Sequence, residues 1–232
     1  MDIPQVARYL GMSVQDVTRL AARGQLPGRK VRGAFRFRKG DVDHWVETRM
    51  PGLSHDRLAE IEQGVAAHHG MEQAAPLVVP LIPAGGILAP LQARTAPAAI
   101  RALVEAADDA GLVYDRKLLI EEVVQREQLC STAIGPGLAL PHPRHPMPWD
   151  IAASFVILGR SDGGIPFGAE DGSLTRLFML ICCKDERTHL HVLARISRMF
   201  DDATLAAVMA AGDAEAIRQV LQSREAAILA TE

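Results

Sequence analysis

Aromatic side chains are scarce in this chain of 232 residues, making up 4% of it. A core without many rings must be built from Leu, Val, Ile and Ala, which favours helices on a modest sheet. Cysteine is also rare. Cys130, Cys182 and Cys183 form an odd set without the spacing of a disulfide framework, so reduced thiols and a cytoplasmic protein are expected. Long apolar runs are missing. The longest uncharged stretch, Ala74 to Leu91, is interrupted by Pro76, Pro80, Pro83, Pro90 and the pair Gly85-Gly86. That argues against a membrane helix, and no membrane insertion is expected. The first residues lack the basic-then-apolar pattern of a signal peptide. A Walker-type glycine loop, a kinase signature and internal repeats are all absent from the sequence.

What the chain does have is an uneven charge. The net charge is -3, yet residues 1–50 carry +5 and the rest -8. A basic head on an acidic body points to a head that meets a polyanion. In the head, Pro4 suits a first helical turn, and Val6, Tyr9 and Leu10 mark an apolar face. Gly11-Met12-Ser13 reads as a turn whose serine caps a second helix, with Val14, Val17, Leu20 and Ala21 inward and Gly24 as the stop. The basic and apolar residues alternating around Gly33 predict a hairpin, and a third helix from Asp41 to about Arg49 places Val42, Trp45 and Val46 inward. The motifs AxYLGxS, RLxxxGxLPGxKV and FRFRKxDVDxWV resemble the small winged helix-turn-helix domains of the excisionase/MerR-like family. The resemblance implies DNA as partner of residues 1–50. Gln15, Thr18 and Arg19 would meet base edges, and Arg29, Lys30, Arg32, Arg36 and Arg38 phosphates or a flanking groove. One such unit makes few contacts, so a homodimer or a partner protein is expected.

Residues 51–83 read as a linker. Ser54 caps an amphipathic helix with Leu58, Ile61 and Val65 on one stripe, ending at Gly70. The helix has too little apolar surface to stand free, and a twin in a dimer is one place for it to pack. His68-His69 reads as a solvated last turn, and 71–83 as an extended, proline-rich connector.

In the body, 84–232, helices and strands alternate, so the class is α/β with a small mixed β-sheet flanked by helices, beside a small, mostly α head. Ile87–Leu91 reads as an edge strand, since Pro90 cannot donate to a ladder. Ile151–Leu158 and Leu174–Cys183 read as buried strands, with Asp162-Gly163-Gly164 as a turn. Helices are expected over about 97–110, 115–126, 188–200, 203–211 and 214–223, with Thr204 and Asp213 at the starts of the last two. The strand ending in Leu138-Ala139-Leu140-Pro141 delivers His142 to the surface. It lies beside a loop of hydroxyls and small residues, a place where an imidazole could hold a phosphoryl group.

The stretch RExLxST…GLALPH-x-R from Arg126 to Arg144 resembles the active-site segment of type 2 enzyme IIA proteins of the phosphoenolpyruvate-dependent phosphotransferase system, of the fructose, mannitol or nitrogen-regulatory kind. Gly164-Ile165-Pro166-Phe167-Gly168-Ala169-Glu170-Asp171-Gly172 and Thr188-His189-Leu190 fall in the family's order. The resemblance implies His142 as phosphoryl acceptor and His189 as the second active-site histidine. Arg144 would be a nearby cation, and Ser131, Thr132 and the backbone at Gly135 would donate hydrogen bonds to the phosphate. No cofactor is implied, and the phosphoryl donor would be a phosphorylated, HPr-like histidine carrier protein. Pro143 departs from the glycine common after the active histidine and removes one N–H; Arg144 or His145 would compensate. A zinc set of His142, His145, His189 and His191 ranks below this, since structural zinc sites prefer cysteine. Cys182-Cys183 reads as core and Glu127 as structural. A DNA-binding head on a phosphoacceptor body implies regulation. The alternative is a transcriptional regulator whose body is a non-transferring sensor or dimerisation module.

Overall fold

A computed structural model describes residues 1–50, 53–70, 75–134 and 137–230. Helix α1 (Ile3–Tyr9) opens on a capping box in which Asp2 and Gln5 satisfy each other's backbone N–H groups. Gly11, at φ 58, makes the turn into α2 (Val14–Ala22), capped by Ser13. Val14 does not join the buried face and is 51% exposed. At the first helical position a side chain leans back over the incoming turn rather than onto α1. Strands β1 (Arg29–Val31) and β2 (Ala34–Arg36) form the hairpin, turning through Arg32 and Gly33, both at positive φ. In α3 (Lys39–Glu47), Val42 and Val46 are buried, and Trp45 donates its ring N–H to the Gln25 carbonyl.

Ser54 caps α4 (His55–His69), and Gly70 at φ 62 ends it. Its stripe of Leu58, Ile61 and Val65 is buried within this chain, against α1 and against α7 (Glu186–Met199) of the body. At Gly64 the α4 backbone nearly touches α1: a Cβ there would lie 2.6 Å from the Tyr9 carbonyl oxygen. The connector is not simply extended. Val78, Val79 and Ile82 are buried, a 3-10 turn spans Val79–Leu81, and the N–H groups of Leu77, Val78 and Val79 all donate to the Glu225 carboxylate. A buried backbone donor needs a partner, and a carboxylate on a distant helix supplies it.

The body holds a five-stranded mixed sheet in the order β3-β6-β7-β5-β4, made of β3 (Ile87–Leu88), β4 (Ala133–Ile134), β5 (Leu138–Ala139), β6 (Phe155–Ile165) and β7 (Thr175–Cys182). The central β6–β7 pair is antiparallel, and β3 and β5 run parallel to its outer sides. Strand β6 passes straight through Asp162-Gly163-Gly164, where a turn was expected. The register slips between Arg160 and Ile165, so the glycines make an irregularity within the strand. Alternate residues divide the core. Phe155, Ile157, Phe178 and Leu180 face α5 (Ala96–Asp109) and α6 (Arg116–Leu129). Val156, Leu158, Leu177, Met179 and Ile181 face α7 and α9 (Ala214–Leu229), and this apolar cluster continues without a break into the head. Helix α7 starts at Glu186, capped by Asp185, two residues before the expected 188. Asp201, not Thr204, caps α8 (Asp202–Ala210), and α9 continues beyond Ser223 to Leu229. Among the described residues no helix is long and apolar enough to cross a membrane.

Candidate functional site

His142 lies three residues past the end of β5, in the loop that Pro141 opens. The Pro141 carbonyl accepts from Ile181 of β7, which ties the loop to the sheet. The ring Nδ1 sits 2.7 Å from the Leu140 carbonyl oxygen. A carbonyl only accepts, so Nδ1 carries the proton and Nε2 presents its lone pair. That Nε2 is buried without a partner among the described residues. The ring of His189, on the first turn of α7, lies 5.0 Å from that of His142, centroid to centroid.

His142 was expected at the surface; it is 4% exposed. The reason lies in the head. The C-terminal end of α3 covers the ring, and Glu47, Thr48 and Met50 line one crevice with His142, Arg126, Ser131 and Thr132. Glu47 places a carboxylate oxygen 3.5 Å from His189 Nε2. Glu47, His142 and His189 hold ligand-capable atoms within 4.8 Å of one another, the one such cluster among the described residues.

Burial, the neighbouring His189 ring and Arg126 push the His142 imidazole down to about 3, although Glu47 pulls the other way. Burial likewise lowers His189, again against Glu47. For Glu47, burial opposes the charge, but the nearby His44, His189 and His142 rings outweigh it and hold the carboxyl at about 2. At neutral pH the site therefore contains two neutral imidazoles and one carboxylate.

The other residues singled out from the sequence divide. Ser131 and Thr132 line the crevice, but their hydroxyls are committed to the Phe167 carbonyl and the Glu127 carboxylate, so they shape the loop. Glu127 also accepts from the Thr132 N–H. Gly135 lies outside the described residues. Arg144 is exposed and lines the adjoining cleft between head and body with His145, Glu47 and His189. His191 is turned away, 3.0 Å from Glu62 of α4. The four histidines considered as a zinc set thus do not converge. Gln15, Thr18, Arg19, Arg29, Lys30, Arg32, Arg36 and Arg38 are all exposed with the head docked. Sequence reasoning missed two residues. Glu47 gave no local signal, as one of three acids on α3 with Asp41 and Asp43. Arg126, read as a solvated or structural partner of Glu127, is buried in the crevice, its Nε without a partner among the described residues; its place in the RExLxST run was the available clue.

Comparison with known proteins places this site in context. Residues 1–50 match a helix-turn-helix domain family, and residues 81–224 match the family described as phosphoenolpyruvate-dependent sugar phosphotransferase system, EIIA 2. A nitrogen regulatory protein of Bradyrhizobium diazoefficiens is 34% identical over 110 residues, covering 46% of this chain and 70% of that one. The fructose-specific EIIABC component of Bacillus subtilis is 33% identical over 99 residues, 42% of this chain but only 15% of that much longer protein. The complex of enzyme IIA-mannitol with phosphorylated enzyme IIB-mannitol from Escherichia coli contains a chain with a TM-score of 0.54 and 20% identity. It covers 60% of this chain and 96% of that one, and shows the likeness of fold. With a family match spanning the paired histidines and well over half of its length, the chain belongs to the type 2 EIIA family of the sugar phosphotransferase system, with a helix-turn-helix region in front.

Proposed function

We propose that the protein is a phosphocarrier of the nitrogen-regulatory or fructose type, and that its phosphorylation state is read through DNA binding by the head. The observation that carries this reading is the His142–His189 pair, with Nδ1 of His142 committed to the Leu140 carbonyl and Nε2 left as nucleophile. In the step envisaged, Nε2 attacks the phosphorus of a phosphohistidine on an HPr-like donor. The donor's N–P bond breaks as the new one forms, and Nδ1–H stays on the Leu140 carbonyl. Positioning and charge stabilisation do most of the work in such transfers. His189 and Arg126 are placed to meet the equatorial oxygens, with Arg144 at the rim. The donor is a protein, and transfer needs no nucleotide or cofactor.

The Glu47 carboxylate occupies the approach to Nε2, so the head must lift before a donor protein can reach it. Phosphorylation adds roughly -1.5 to -2 charges beside that carboxylate, which repels the docked head. This is the proposed coupling between transfer and DNA binding. The exposed second helix and basic hairpin remain available in the docked form, so the coupling would act through the orientation or pairing of heads, a homodimer being the simplest assembly. The closed crevice also favours a second reading, a sensor that regulates transcription without passing the group on.

Incubation with labelled phosphoenolpyruvate and the general phosphotransferase proteins tests the first reading. Label is expected on the wild type, none on His142→Ala, and slowed transfer on His189→Ala. An unlabelled wild type would leave the sensor reading. Equal DNA affinity before and after labelling would remove the coupling.

A further inference from the structure

We propose that Glu47 of the head and His142 and His189 of the body form a binding site for one zinc-type divalent cation, which clamps the head onto the body. Three observations support it. The three ligand atoms lie within 4.8 Å of one another and come from both halves of the chain. His142 Nε2, on one of the three side chains of this cluster, is buried and has no partner among the described residues. Its tautomer is already set by the Leu140 carbonyl on Nδ1. An outer hydrogen bond of this kind is what orients metal-bound histidines.

Two imidazoles and one carboxylate are a zinc set with one position left open. Bonds of about 2.0–2.1 Å require ligand atoms roughly 3.3 Å apart. The Glu47–His189 separation of 3.5 Å is already close to that, and only the remaining distances must tighten. Neither half of the chain offers the full set alone. Bound metal therefore favours the docked head and consumes the Nε2 lone pair, so that metal and a phosphoryl group on His142 exclude each other. That last clause rests on the proposed function; the site itself does not.

The test uses the full chain, stripped with a chelator and titrated with zinc alone, with no phosphoryl donor present. One zinc per chain is expected, together with a higher melting temperature and tetrahedral absorption bands when cobalt(II) replaces zinc. Glu47→Gln is nearly isosteric and should retain the fold. Losing a direct ligand should cost at least what losing an outer-shell partner does, about 10- to 100-fold in affinity, and it should abolish the thermal shift. His145→Gln, in the neighbouring cleft, should bind as the wild type does. The proposal fails if the wild type takes up no zinc, or if Glu47→Gln binds it equally well. A chain that binds zinc through Glu47 yet never accepts label would retain this site and lose the phosphocarrier reading. A chain that accepts label but ignores zinc would do the reverse.

Discussion

Replacing Glu62 by alanine should loosen the head from the body, and the structure sets the size of the effect. Glu62 is 1% exposed. Its carboxylate accepts from Arg195 Nε at 2.5 Å and Arg198 Nη1 at 2.5 Å, and lies 3.0 Å from His191 Nε2. All three partners are on α7, so one side chain of α4 anchors the linker helix to the body. Arg195 keeps an ion pair with Glu225 at 3.5 Å, but breaking a buried charge cluster by removing one member still costs about 3–5 kcal/mol. For a protein of this size each kcal/mol moves the melting temperature by about 2–4 °C, so calorimetry at neutral pH should show a fall of about 6–20 °C. An exposed pair is worth only about 0–1 kcal/mol, and a fall under about 3 °C would refute the reasoning. The pH dependence supplies a second check. Burial works against ionisation of Glu62, but His191, Arg195 and Arg198 outweigh it and hold the carboxyl below its ordinary value of 4.5. A group lowered in the folded state stabilises above its unfolded pKa, and that contribution is lost as pH falls through the folded one. Wild-type stability should therefore decline below about pH 4.5, and Glu62→Gln should decline less steeply.

Gly64→Ala should destabilise, although alanine is the better helix former by about 1 kcal/mol. Its Cβ would press on the Tyr9 carbonyl, overpacking that costs about 1–3 kcal/mol, and thermal unfolding would show which effect wins. Glu225→Ala should strip the connector of the acceptor for three N–H groups, each worth about 1.5–3 kcal/mol when bonded to a charge; amide exchange at Leu77, Val78 and Val79 should quicken markedly. In DNA titrations across a salt series, Arg36→Ala should weaken binding to all duplexes alike and reduce the log–log slope by about 1. A slope that does not change would remove Arg36 from the phosphate contacts.

Much of the architecture was legible because its signals are local. Ser13, Ser54 and Asp213 each cap a helix, and the unbroken apolar runs became the paired central strands β6 and β7. Where two signals competed, the weaker one misled. Asp162-Gly163-Gly164 has the composition of a turn, but pairing with β7 on both sides holds it in the strand. Thr204 could cap α8, yet Asp201 three residues earlier does so with a carboxylate. The two-residue strand β4 carries no pattern at all.

The site was legible only in its body half, since the motif places His142 and His189 in the family's order but says nothing of what lies above them. The lid depends on contacts between residues far apart in the chain: Glu47 with His189, Glu62 with Arg195, the connector with Glu225. In sequence each of these acids looks like ordinary solvated charge. The +5 of residues 1–50 pointed to a head that meets a polyanion, and its join to the body uses charges of both signs, with Lys39 of the head 3.6 Å from Glu186 of the body. Glu47 of the head, half-buried, and Glu62 of the linker, buried, face histidines and arginines of the body. Net charge describes the surface each part shows to water, whereas a few individual side chains make the joint. The residues expected to contact DNA remain exposed while Glu47 is turned toward the body, so docking on the body and binding to a polyanion would use different side chains.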